Sequence, residues 1–379
     1  MLGAELPPLA CWPRLRWPLS LLATASEDRL SFRRRNLHTS FERPAIAEQS
    51  RFMSELQGRL AASSSTQGNA ATMTVRAASA PVNRGQQQGW TGPLVGLPAL
   101  MERTAGIAEV AIALLDGPVA VGHPDLASGN IRVLSGTAVC RQLDSVACRH
   151  GTLVAGVLHA RRDCPVPGIC PGCRLLVRPI FGETAAATEV NGLPSATLAE
   201  VATAVLEAVD FGAHIINLSV GLSEQGPGSE RSVEQAIDVA AQHGILVVAA
   251  AGNQGVLGSS VITRHPWVLP VVACHRSGGV MASSNLGASI GRSGLAATGE
   301  DIESLAATGG TATFDGTSAA VPLVTGTLAL LWSLFPTAGA AQLRLAVAGR
   351  VRRRSVTPPI LDARAAYQAM AVYNERTRQ

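Results

Sequence analysis

The chain has 379 residues, 47% hydrophobic and 15% charged, which is enough apolar material for a large buried core and excludes a disordered or fibrous protein. Its net charge is +4, yet all 31 basic residues are arginine and they gather at the ends: nine Arg against six acids in residues 1–60, eight against two in 341–379, and fourteen against nineteen between. An acidic middle is poor ground for phosphate, so no nucleic-acid partner is expected; no apolar run reaches the roughly 18 residues of a membrane helix, so no span is expected.

Residues 1–95 show no sustained period. RLRWPLSLLATAS has the outline of a signal peptide, interrupted by prolines and a serine, and SFRRRNLHTSFER reads as an Arg-rich arm. The stretch 61–88 is small, polar and glutamine-rich, as a linker is. The expected organisation is a poorly ordered extension over 1–95, one domain over 96–372 and a tail over 373–379.

From Gly96 onward short apolar runs alternate with amphipathic helices. EVAIALLD (109–116) predicts a buried strand ending in a carboxylate, GTLVAGVLHARR a helix opened by His150, and RLLVRPIF a strand. TLAEVATAVLEAVDFG places Leu198, Val201, Val205 and Val209 on one helical face, with Gly212 as its stop. HIINLSVG predicts a strand, SVEQAIDVAAQHG a helix stopped at Gly244, and ILVVAAAGN another strand. Strands apolar on both faces and joined by helices imply an α/β fold with a mostly parallel sheet covered on both sides. Such sheets bind ligands beyond the carboxyl ends of their strands. The last long helix opens at FDGTSAAVPLVTG, where Pro322 is expected within the first turn and Ser318 among the unpaired N–H groups of the positive helix end.

Four polar residues therefore sit at the rims of apolar elements: Asp116, His150, Asn253 and Ser318. Each alone has an ordinary reading, as a strand-end turn, a helix cap, a left-handed turn residue and an N-cap. Together they supply nucleophilic acyl transfer. Ser318 would be the nucleophile, His150 the base, Asp116 the group that holds the imidazole tautomer, and Asn253 with the Ser318 N–H the oxyanion donors.

The motifs resemble those of the subtilases, subtilisin-like serine proteases. DGPVAVGHPDL is similar to the family's Asp motif, HGTLVAG to its His motif, AAAGNQG to its Asn motif and GTSAAVP to its Ser motif, in the family's own order. The resemblance runs from Gly96 to Met370 and implies a three-layer subtilisin-like fold. It also implies that Ser219, Val220 and Gly221 form the substrate-binding strand, that Ala250, Ala251 and Gly252 wall the S1 pocket, and that a peptide or protein substrate binds as an added strand. His123 matches a structural position, while His159, His214, His243, His265 and His275 have no motif support. Two departures stand out: Asp-Gly-Pro, in which Pro118 removes a backbone donor near Asp116, and Leu153 in place of a frequent second histidine. LDGPV…HPDL, VPGICPGCRLLVRPIFG and GLPALMERTAG look most like the protease branch of modified-peptide pathways, which cuts leader peptides from precursors. Only 33 residues separate Asp116 from His150, which leaves little room for the additional structure of ring-closing members and favours hydrolysis.

Seven cysteines, at 11, 140, 148, 164, 170, 173 and 274, include the C-x-x-C of ICPGC without a second pair. No metal site is expected from them: free or incidentally paired thiols are, with a structural role for Cys170 and Cys173. No cofactor is expected. The family's structural calcium ions cannot be placed from the sequence, and neither can the oligomeric state. A cytoplasmic location is expected, with secretion as the alternative. The rival readings are a non-catalytic peptide-binding protein of the same fold, an exported degradative protease, and a nucleotide-binding enzyme, for which LLDGPVAVG lacks the G-x-G-x-x-G turn.

Overall fold

The computed structural model describes residues 75–77, 96–134, 140–180, 182–183, 189–190, 193–194, 196–219, 227–349 and 354–378. Its strands are β1 (Val75–Ala77), β2 (Ala111–Asp116), β3 (Ile131–Val133), β4 (Arg174–Pro179), β5 (Glu189–Val190), β6 (Leu193–Pro194), β7 (Ile215–Leu218), β8 (Leu246–Ala250), β9 (Val268–Cys274), β10 (Leu295–Thr298), β11 (Ile302–Leu305) and β12 (Thr311–Phe314). Its helices are α1 (Leu97–Arg103), α2 (Val146–His159), α3 (Leu198–Asp210), α4 (Pro227–Gln242), α5 (Val261–Arg264), α6 (Ala288–Ser293), α7 (Thr317–Leu334), α8 (Ala340–Ala348) and α9 (Ala363–Arg378).

Seven strands form the central sheet in the order β10-β9-β8-β7-β2-β4-β3, and every pairing is parallel. Alternation along each strand sends side chains to two cores. Ile112, Leu114, Ile215, Leu246 and Val248 join the apolar residues of α2 and α7 on one face. Ala111, Ala113, Leu115, Ile216, Leu218 and Val247 meet α3 and α4 on the other. The face of α3 anticipated from its period is the buried one, with Leu198, Val201 and Val205 each 2% exposed or less. Full burial of such side chains stabilises by about 1.5–3 kcal/mol apiece. Three layers result, as expected.

Several boundaries differ from expectation. His150 does not open α2: the helix starts at Val146, capped by Ser145, whose hydroxyl accepts from the Cys148 N–H at 3.1 Å. The helix ends at His159 instead of running through the two arginines. Pro322 lies in the second turn of α7, so the Ser318 carbonyl loses the partner that residue i+4 would normally provide. That same helix of 18 residues is long and apolar enough to cross a membrane, which the sequence reading missed, but 89% of it is buried inside the protein. It is the central core helix, packed on the sheet by residues such as Leu323, Val324 and Leu328. Within the segment read as linker, Val75–Ala77 pairs antiparallel with β12, giving a three-stranded sheet of order β1-β12-β11. The remainder of residues 1–95, Val220 and Gly221 lie outside the described residues.

Beyond α8 the chain returns to the main sheet. Ala296 of β10 donates to Pro359 O at 2.7 Å, and its carbonyl accepts from the Leu361 N–H at 2.8 Å. The chain then enters α9, which buries Ala363, Ala366 and Met370.

Candidate active site

Asp116 is the last residue of β2, fully buried at the carboxyl end of the sheet. Its Oδ1 accepts from the Gly117 N–H at 2.6 Å and lies 2.5 Å from His150 Nδ1. Its Oδ2 is buried without a hydrogen-bond partner among the described residues. Pro118, two residues on, has no N–H to offer it.

The Asp turn and α2 approach through their glycines. A Cβ on Gly117 would lie 1.9 Å from Ala147 O, and one on Gly151 would lie 2.4 Å from Gly117 O, so neither position tolerates a side chain without moving the two elements apart. Thr152, one residue further, accepts from the Ala120 N–H at 2.9 Å and fastens the same turn. His150 is 6% exposed, and the Phe314 ring meets it edge-on at a centroid distance of 6.4 Å. Phe314 ends β12, four residues before Ser318, and so ties the histidine to the segment that delivers the serine.

Ser318 sits in the first turn of α7, 8% exposed. The next two N–H groups, of Ala319 and Ala320, turn back to Gly316 O at 3.1 and 3.3 Å, while the Ser318 N–H has no acceptor among the described residues. Asn253 follows β8. Its Oδ1 accepts from both the Thr317 N–H at 2.9 Å and the Thr317 hydroxyl at 3.0 Å. With its oxygen so occupied, the amide keeps Nδ2 free as a donor, next to Gly316, where it would stand 2.9 Å from an added Cβ. The structure thus joins Asp116 to His150, and Asn253 to the residue preceding Ser318. No direct hydrogen bond links Ser318 Oγ to His150 among the described residues, a bond that in ligand-free enzymes often tightens only with substrate.

Of the expected substrate-binding residues, Ser219 is buried, and its Oγ accepts from Asn217 Nδ2 at 3.0 Å. Asn217 Oδ1 in turn accepts from Thr325 of α7 at 2.8 Å. Ala250 and Ala251 are buried, the latter donating to Val271 O at 2.9 Å, and Gly252 has φ +103°. Away from this rim, His123 is buried and accepts from the Asp125 N–H, His159 is buried, His214 packs edge-on to Trp332, His265 and His275 pair with Asp238 and Glu300, and His243 is exposed.

Cys140 and Cys148 form a disulfide, eight residues apart, that pins the loop before α2 to the helix two residues from His150. Cys148 packs there with Ala120 and Ala307, and Glu183 holds the loop from the other side by accepting from the Arg141 and Gln142 N–H groups at 2.8 and 3.2 Å. Among the described residues, the grouping that could hold a metal is Cys140, Cys148 and Glu183, but both sulfurs are spent in the disulfide. Cys170 and Cys173 are buried and free; the mutual hydrogen bond, with burial, pushes the Cys170 thiol well above the usual range. Thr317 lies inside the GTSAAVP motif and Phe314 opens the stretch before it, but nothing in the sequence assigns either a role, and nothing singles out Cys140 and Cys148 among the seven cysteines.

The subtilase family profile matches residues 108–357, spanning all four rim residues. The chain belongs to the subtilase family. Fervidolysin of Fervidobacterium pennivorans is 30% identical over 281 residues, which cover 67% of this chain and only 39% of that protein. Among solved structures, the protease domain of PatA superposes with a TM-score of 0.63 at 31% identity, covering 71% of this chain and 97% of that one. The prenylagaramide maturation protease PagA gives 0.62 at 29% identity, covering 73% and 98%. The mostly parallel sheet with helices on both faces is the subtilisin-like architecture.

Proposed function

We propose that this subtilase is a serine endopeptidase that works through an acyl-enzyme. The observation that carries the reading is the Asp116–His150 hydrogen bond at 2.5 Å, with the histidine ring packed edge-on to Phe314, four residues before a serine in the first turn of a helix. Ser318 Oγ attacks the scissile carbonyl while His150 Nε2 takes its proton; Asp116 holds Nδ1–H and stabilises the imidazolium. The carbonyl electron pair moves onto the oxygen, which receives the Ser318 N–H and Asn253 Nδ2. Collapse expels the amine, protonated by His150, and water then releases the acid by the same steps. Ser219, Val220 and Gly221 on one side and Ala250, Ala251 and Gly252 on the other would hold the peptide as an added strand. A fluorophosphonate probe tests this: the wild type labels and Ser318→Ala does not. A folded wild type that stays unlabelled supports the non-catalytic alternative.

For substrate, the likeness to PatA and PagA supports removal of a leader from a ribosomally made modified peptide, by hydrolysis, and a cytoplasmic site of action suits that task. One observation favours a second reading. The Cys140–Cys148 disulfide suits an oxidising compartment, where an exported degradative enzyme would act. Cleavage of an unrelated unfolded protein as fast as a leader-bearing precursor would support the second reading over the first.

A further inference from the structure

The turn that presents Asn253 is bracketed by one side chain from far along the chain. Asn285 lies in the loop after β9. Its backbone N–H donates to Gly252 O at 2.9 Å. Its Oδ1 accepts from the Gln254 N–H at 3.0 Å and the Val256 N–H at 3.2 Å, and its Nδ2 donates to Gln254 Oε1 at 2.6 Å. Four hydrogen bonds from a single residue thus grip the chain on both sides of Asn253. The backbone around them follows the same path, with Gly255 donating to Ser283 O at 2.8 Å and Leu286 to Val256 O at 3.0 Å.

The turn is shaped to receive this amide. Gly252 has φ +103°, and a Cβ there would stand 2.4 Å from Asn285 Nδ2 and 2.7 Å from Gln254 Oε1. A second left-handed glycine, Gly255 at φ +65°, completes the bend. A segment with two glycines in this region is intrinsically loose, and its geometry has to be imposed from outside. Thr317 fixes the amide oxygen of Asn253, but that contact sets the direction of the side chain without setting where its backbone stands.

We propose that Asn285 is a positioning residue for the oxyanion donor: it holds the backbone at 252–256 so that Asn253 Nδ2 reaches the place where negative charge develops. The proposal rests on the serine-peptidase reading above. An oxyanion donor works by being in place before the charge forms, within about 2.7–3.1 Å of the oxygen. Removal of the Asn285 amide leaves two N–H groups without their acceptor and lets the glycine-flanked turn relax, which carries Nδ2 away.

Asn285→Ala is expected to lower kcat by about 10- to 100-fold with KM held within about twofold, the pattern of an interaction made in the transition state. Fluorophosphonate labelling of Ser318 should slow in proportion. Asn285→Asp keeps the acceptor for Gln254 and Val256 and is expected to recover most of the loss. In an Asn253→Ala background, Asn285→Ala should cost almost nothing further, because the donor it positions is gone. An equal loss in both backgrounds, or kcat and labelling unchanged by Asn285→Ala in an enzyme whose wild type labels, overturns the positioning role alone. A wild type that does not label overturns the peptidase reading, and this proposal with it.

Discussion

At residue scale the site depends on which lone pairs are already spoken for. Asn253 Oδ1 takes two hydrogen bonds from Thr317, so the amide has one orientation and only its Nδ2 group to offer as a donor. Asn253→Ala should therefore reduce kcat by about 10²- to 10³-fold. Thr317→Val, which leaves the backbone bond and removes the hydroxyl, should cost about 1 kcal/mol, or roughly fivefold in kcat, with KM little changed. Steady-state kinetics on one peptide substrate measures both. His159 behaves differently because both of its ring nitrogens are buried without partners among the described residues. Burial lowers its pKa to about 4 from the ordinary 6.5. The neutral ring is thus the form the fold accepts: this contribution to stability is complete above pH 6.5 and drains away as the pH falls toward 4, by about 3 kcal/mol in all. Urea unfolding at pH 7 and pH 4.5 should show the drop in the wild type and a flatter profile in His159→Leu. Asp116, His150, Asn253 and Ser318 were legible as residues because each interrupts an apolar run. Asn285 was not, because its role is set by contacts across about thirty residues of chain and nothing in MASSNLG marks it.

At the scale of elements, periodicity located β2, β4 and α3 within two residues and β7 and β8 within three, since both faces of these strands and one face of this helix are apolar. Helix starts were harder. The reading that let His150 open α2 overlooked the Ser145 cap, because Val146–Arg149 lacks a helical apolar pattern and is held by the cap, the disulfide and the close approach to Gly117. Pro322 was placed too early for a related reason: Gly316 caps the helix through its backbone, with no side-chain bond to mark the start. The disulfide is the element-scale device with a measurable worth. Closing so short a loop stabilises by about 2–3 kcal/mol in the chain-entropy account. Reduction, or Cys148→Ser, is expected to lower Tm by several degrees, about 2–4 °C per kcal/mol for a domain of this size, and calorimetry with and without reductant checks it.

At the scale of the whole molecule, the parallel sheet and its two covering layers were foreseeable from strands without a polar face. The strand order was not, because neighbours such as β2 and β7 are separated by about a hundred residues and local pattern carries no information on which strands meet. Nor was the return of the chain along β10. Truncation after Arg354 would strip the Pro359 and Leu361 hydrogen bonds from Ala296 and uncover the core that α9 closes. The shortened protein is expected in the insoluble fraction, or as soluble aggregates by size-exclusion chromatography, where the full chain elutes as a discrete species.

That return also has a bearing on how copies of this protein behave in a crowd. A sheet rim with free backbone groups invites strands from neighbours, and here the rim at Ala296 is already taken by the molecule's own late segment. A segment synthesised after the sheet it closes is thus the stopper that keeps each molecule from zipping onto the next, so the interval before it arrives is when the nascent chain most needs shielding.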